Sequence, residues 1–148
     1  METTHIYRVD IRGTGLKTGR LGSLDGLPPL AVASPPEFGG PEGVWSPEHL
    51  FVASVSACLM TTFRSIAEMR GLEILGYSDS ASGTLIRGDD GLYKMTEITL
   101  RPHLQIADPT KADRALRLLE KAEKVCLIGR SIESEVHIEP VVEVATAA

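Results

Sequence analysis

Apolar residues crowd one stretch of this chain more than any other. From Ser46 to Gly71 the sequence predicts a single helix of about seven turns at ~3.6 residues per turn. Ser46 suits the N-cap, because its hydroxyl can accept a free backbone N–H of the first turn. Pro47 fits the first helical position, where no N–H is needed, and Glu48 complements the positive end of the helix. Gly71 suits the stop, with Arg70 in the last turn. Between Leu50 and Met60 the apolar positions run nearly all the way round, interrupted by Ser54 and Ser56. A helix apolar on every side is expected to be buried on every side, by sheet, by other helices or by a second copy of itself.

Either side of this helix the pattern changes to strands. Residues 4–12 mix β-branched and polar side chains as a strand does. Gly13–Gly15 marks a turn, Gly19–Gly22 a second strand and Leu30–Ser34 a short third. From Ser34 to Trp45, prolines and glycines predict a loop, and a long loop in a compact domain is often functional. After the helix, residues 72–87 and 92–106 read as two longer strands around a Gly88–Gly91 hairpin turn. Asp108-Pro109 caps a second helix from Thr110 to about Val125. There Ala112, Ala115, Leu116, Leu118, Leu119 and Ala122 form an apolar stripe under a charged face. Cys126 lies at or just beyond its end, and residues 134–144 form a last strand. The order β-β-β-α-β-β-α-β is an α+β pattern, with the long helix laid across an antiparallel sheet. The whole chain, 1–148, reads as a single domain.

Composition narrows the function. The 148 residues are 43% hydrophobic and 24% charged, with a net charge of -5. That balance, without a basic run, argues against nucleic acid as a partner. The N-terminus has no charged-then-apolar signal segment, and no uncharged apolar run reaches 18 residues, which argues against a membrane and points to the cytoplasm. Two cysteines, Cys58 and Cys126, do not make a secreted disulfide framework. His5, His49, His103 and His137 show no paired ligand spacing with them, so no metal site is expected.

Free cysteine is commonly a small core residue, which is the bland reading of both thiols. Three features favour chemistry instead. Small residues, Ser-Val-Ser-Ala, precede Cys58 and leave room for a cavity. Cys126 sits where a helix ends and the chain turns. The Pro/Gly loop precedes the long helix and could cover a pocket, with Leu30, Phe38, Val44, Trp45, Phe51 and Met60 as candidate apolar lining.

The block Ser-Pro-Glu-His-Leu-Phe-Val-Ala-Ser-Val-Ser-Ala-Cys, Ser46 to Cys58, resembles the helix signature of the OsmC/Ohr family, the osmotically inducible and organic hydroperoxide resistance proteins. Phe38–Gly43 is similar to that family's glycine-rich loop, and Gly19-Arg20-Leu-Gly22 to its N-terminal Gly-Arg motif. The resemblance covers nearly the whole chain. It implies an OsmC-like α+β fold and an intertwined homodimer with active sites at the interface. It also implies a thiol peroxidase that reduces organic hydroperoxides with no metal or bound cofactor and is recycled by an external dithiol reductant. By position, Cys58 resembles the peroxidatic thiol and Cys126 the resolving one. Arg20 and Glu48 resemble the pair that activates Cys58. The chain departs from the Cys-Pro turn often found at the second cysteine, reading Cys126-Leu-Ile-Gly-Arg130.

That chemistry is sound on its own terms. A thiolate is the nucleophile, and a guanidinium beside it favours ionisation. The sulfenic acid then condenses with a second thiol. Ten residues place Glu48 about 15 Å along a straight helix from Cys58. The spacing therefore predicts that Arg20 and Glu48 reach Cys58 from a partner subunit, or that the helix is broken. Two rivals stand beside this reading. A hot-dog thioesterase would use Glu48 as its catalytic carboxylate, and a small-molecule binding protein would leave both thiols inert.

Overall fold

Glycine turns and short alternating runs build the N-terminal part of the protein. The computed structural model describes residues 2–145, and the chain divides into two units, Met1–Phe51 and Val52–Ala148. In the first, β1 (Asp10–Gly13), β2 (Thr18–Gly22) and β3 (Leu30–Ala33) form an antiparallel meander. The strand expected over residues 4–12 pairs only from Asp10 onward, and every residue of β1 is exposed. Just before it the Arg8 backbone is taken up by side chains instead of a strand: its N–H donates to Asp25 Oδ2 at 3.3 Å and its carbonyl accepts from Ser23 Oγ at 3.1 Å.

The Pro/Gly loop is pinned at both ends. Ala33 N–H donates to Trp45 O at 2.9 Å, and Ser34 N–H to Lys17 O at 3.0 Å. One 3₁₀ turn, Pro36–Phe38, ends at Gly39 with φ 83°. Gly40 is there because of a close approach: a Cβ on it would sit 1.6 Å from Ser34 O.

The long helix α1 spans Pro47–Met69 without interruption, as its caps predict. Ser46 is buried and accepts the His49 N–H at 3.1 Å. Gly71 follows with φ 68°, a backbone conformation that glycine adopts without Cβ strain. The burial differs from expectation. One stripe is buried, Val55, Leu59, Phe63, Ile66 and Ala67, while Ala57 and Met60 are exposed. The helix is long and apolar enough to cross a membrane by length and composition alone. That buried stripe nevertheless makes it the core helix of the second unit.

In that unit three strand paths are each broken once. They are β4 (Gly76–Asp79) with β5 (Ser82–Arg87), β6 (Tyr93–Leu100) with β7 (Pro102–Ile106), and β8 (Glu135–Ile138) with β9 (Val141–Val144). The halves form two three-stranded sheets, β4-β7-β9 and β5-β6-β8. Arg101 stitches the breaks together. Its N–H donates to Asp79 Oδ1 at 2.6 Å, its guanidinium to Ser80 O and Ser82 Oγ at 3.1 Å each, and it pairs with Glu139 at 3.7 Å. The expected hairpin and its antiparallel ladders are present. The last strand path adds in parallel, β8 on β6 and β9 on β7. Between them lie α2 (Ala112–Val125), whose buried stripe is Ala115, Leu118, Leu119 and Ala122, and a short α3 (Leu127–Arg130) that the periodicity did not announce. Ile98, Leu100, Leu104 and Ile106 complete the core.

Candidate thiol site

Cys58 lies mid-way along α1 and is half-buried; Cys126 joins α2 to α3 and is buried, and both are free thiols. At Cys126 the backbone leaves the helical region, with φ -58° and ψ 117°, so the helix stops for one residue and restarts. That break turns the Cys126 side chain and the first amides of α3 toward α1. The two thiols interact directly, with Cys126 the hydrogen-bond partner of Cys58. The Ile128 and Leu127 amides also donate to the Cys58 sulfur, and the Thr62 hydroxyl, one turn further along α1, lies 3.8 Å from it. The expected departure from a Cys-Pro turn has a consequence here. Proline at 127 would have no N–H to offer.

The pair is electrostatically unequal. Burial pushes the Cys58 thiol up, but hydrogen bonds from Cys126, Ile128, Thr62 and Leu127 outweigh it and hold the thiol below its ordinary value. Burial pushes Cys126 up to about 11, reinforced by its hydrogen bond to Cys58 and by the charge of Cys58. The first proton therefore leaves Cys58 while Cys126 keeps its own and donates it. An accessible thiolate beside a protonated thiol can attack an electrophile and then be captured as a disulfide.

Tyr77 is a neighbour that sequence reasoning missed. Its ring packs on Phe63 at 5.9 Å between centroids, and its buried hydroxyl has no hydrogen-bond partner among the described residues. Burial first, then the charges of Asp79 and Cys126, raise its ionisation far above the usual phenol range. Asp79 itself accepts from Ser56 Oγ at 2.5 Å. An alternation of apolar and polar residues places Tyr77 on an inner face but says nothing about an orphaned hydroxyl.

The other two expected site residues are placed differently. Arg20 is exposed on β2, opposite Arg12 on one side and Ala31 on the other. Glu48, in the first turn of α1, has its Oε2 buried with no hydrogen-bond partner among the described residues. The two do not form the expected bidentate pair with each other. Since α1 is unbroken, Glu48 and Cys58 remain about 15 Å apart along its axis at ~1.5 Å per residue. Of the six residues expected to line an apolar pocket, Val44 and Trp45 border a cleft of about 580 Å³ together with Pro36 and His49. The Trp45 and His49 rings meet edge-on at 6.4 Å, and His49 Nδ1 lies 2.6 Å from Ser46 Oγ.

A profile of the family described as OsmC-like protein matches residues 40–141, a span that holds α1 and both thiols. The chain belongs to the OsmC-like family. An uncharacterized protein of Acinetobacter baylyi is 26% identical over 139 residues, covering 90% of this chain and 91% of that protein. An OsmC-like protein of unknown function from Vibrio cholerae has the same fold, with a TM-score of 0.85 at 22% identity over 93% of this chain and all of that one. An organic hydroperoxide resistance protein from Elizabethkingia anophelis superposes with a TM-score of 0.76 at 20% identity, covering 98% and 100%. These likenesses establish the OsmC-like α+β fold: a long helix against antiparallel hairpins.

Proposed function

We propose that this OsmC-like chain is a thiol-dependent peroxidase for organic hydroperoxides. The observation that carries the reading is the unequal thiol pair, with Cys58 acidified and half-exposed and Cys126 buried and protonated. The Cys58 thiolate attacks one peroxide oxygen. A sulfur–oxygen bond forms, the oxygen–oxygen bond breaks, and the alkoxide leaves to take a proton as the alcohol. Cys58 is now a sulfenic acid, and attack by Cys126 on its sulfur expels water and closes a disulfide. An external dithiol returns both sulfurs to thiols by exchange. A cycle that ends on reduction belongs in a reducing compartment, and the cytoplasm is the reading we favour.

Arg20 and Glu48 serve a partner chain's Cys58 in this proposal. An unbroken α1 and a buried, unpaired Glu48 oxygen support an assembly in which a second copy completes the site. The guanidinium then orients the peroxide and stabilises the leaving oxygen's charge, while Glu48 holds the fork.

The test is free-thiol titration and intact mass after one equivalent of cumene hydroperoxide. Loss of both thiols with a mass decrease of about 2 Da, two hydrogens per disulfide, is expected. Survival of both thiols in excess peroxide removes the peroxidase reading and promotes a Glu48 thioesterase or a binding protein.

A further inference from the structure

Two adjacent threonines follow Cys58 by one turn of α1, and they behave differently. Thr61 Oγ1 bonds the carbonyls of Ala57 at 3.1 Å and Cys58 at 3.2 Å. This is the usual fate of a helical threonine, whose hydroxyl turns back on the preceding turn. Thr62 does not follow it: among the described residues its hydroxyl has the Cys58 sulfur as its partner, at 3.8 Å. Thr62 is half-buried, next to the fully buried Phe63, so the hydroxyl is partly withdrawn from water. A hydroxyl given up by the backbone and aimed at a thiol in a partly dry place is an arrangement with a chemical consequence. It donates to the sulfur when the sulfur is charged.

We propose that Thr62 is a catalytic residue of the Cys58 site: its hydroxyl donates to the nucleophilic sulfur and helps to hold it as the thiolate. This inference rests on the peroxidase reading. Cys126, the Ile128 and Leu127 amides and Thr62 hold the negative charge before peroxide arrives. During attack, charge passes from sulfur to the departing alkoxide. The hydroxyl is needed before the sulfur–oxygen bond forms, and the guanidinium at the moment the oxygen–oxygen bond breaks. The shift of Cys58 agrees, since Thr62 is among the groups that lower it.

The experiment follows the rate of Cys58 alkylation by iodoacetamide against pH in the full-length protein. Peptide mass spectrometry separates Cys58 from Cys126, and cumene hydroperoxide consumption is measured in parallel. Valine matches threonine in shape and lacks the donor; serine restores the donor. Thr62→Val is expected to raise the Cys58 midpoint by about one pH unit, tenfold less thiolate at neutral pH, as for loss of one hydrogen bond to a charged group. Peroxide consumption should fall in proportion, and Thr62→Ser should restore both.

An unmoved midpoint in Thr62→Val overturns the proposal, as does an equal shift in Thr62→Ser. A wild-type protein that alkylates as expected but consumes no hydroperoxide fails the peroxidase reading instead, and the two failures are read on separate axes.

Discussion

At the scale of single residues, the site is a contrast between two thiols of the same chemistry. Cys126 keeps its proton up to about 11, against an ordinary 9.0. Between these values the folded chain holds a proton that the unfolded chain has lost. The stability linked to Cys126 is therefore fully present below pH 9 and is lost as pH rises through about 11. Cys58 has the opposite sign. Its contribution is present above the ordinary thiol range and is lost as pH falls through its lowered folded value. Urea denaturation at a series of alkaline pH values should show stability falling more steeply in the native protein than in Cys126→Ser. Parallel pH profiles would contradict this account. Cys58 and Cys126 were legible as candidates from their place in recognisable patterns, whereas the roles proposed for Arg20 and Glu48 rest on the family resemblance. Thr62 and Tyr77 were not, because a helical threonine usually bonds its own backbone and a strand tyrosine usually only packs.

At the scale of elements, α1 is the best-determined part of the fold, because each of its ends has a local cause. Ser46 Oγ accepts the His49 N–H and also meets the His49 ring at 2.6 Å. Ser46→Ala should cost about 1 kcal/mol of stability, the usual price of a lost cap, measured by chemical denaturation. A neutral result would contradict the capping role of the buried Ser46 hydroxyl. β2, β3, the Gly88–Gly91 turn and α2 were likewise readable from glycine positions and periodicity. The breaks between β4 and β5, β6 and β7, and β8 and β9 were not. The run Ile98–Ile106 alternates without a gap, and the break at Arg101 depends on Asp79, Ser80 and Ser82, which arrive from another strand. The parallel addition of β8 and β9 was equally hidden, since strand direction depends on the path of the chain between strands.

At the scale of the whole molecule, the proposed second copy is tested at the exposed apolar residues. The chain leaves Ile11 65%, Trp45 50% and Met60 36% exposed, although α1 is apolar nearly all round between Leu50 and Met60. Sedimentation equilibrium is expected to give twice the chain mass. Met60→Arg, which places charge on the exposed side of α1 with its buried stripe untouched, should shift the protein toward monomer and lower peroxide consumption. A native protein that sediments as a monomer would remove the shared-site arrangement of Arg20 and Glu48. The same interface would account for the unpaired Glu48 oxygen, since a buried carboxylate without a partner is costly.

Sequence alone determined what is decided within a few residues: the caps and extent of α1, the apolar stripe of α2, the turns at glycine, and an α+β order of elements. Those features follow from backbone freedom and from periods of 3.6 and 2, which neighbouring residues set among themselves. Only the tertiary structure decided that Cys58 and Cys126, 68 positions apart, interact, and that one is acidified while the other is not. Their meeting depends on the break at Cys126 and on the packing of α1 and α2. Their inequality depends on which amides and hydroxyls that packing aims at each sulfur. Burial and hydrogen bonding from distant segments are properties of the folded chain, and no local pattern encodes them.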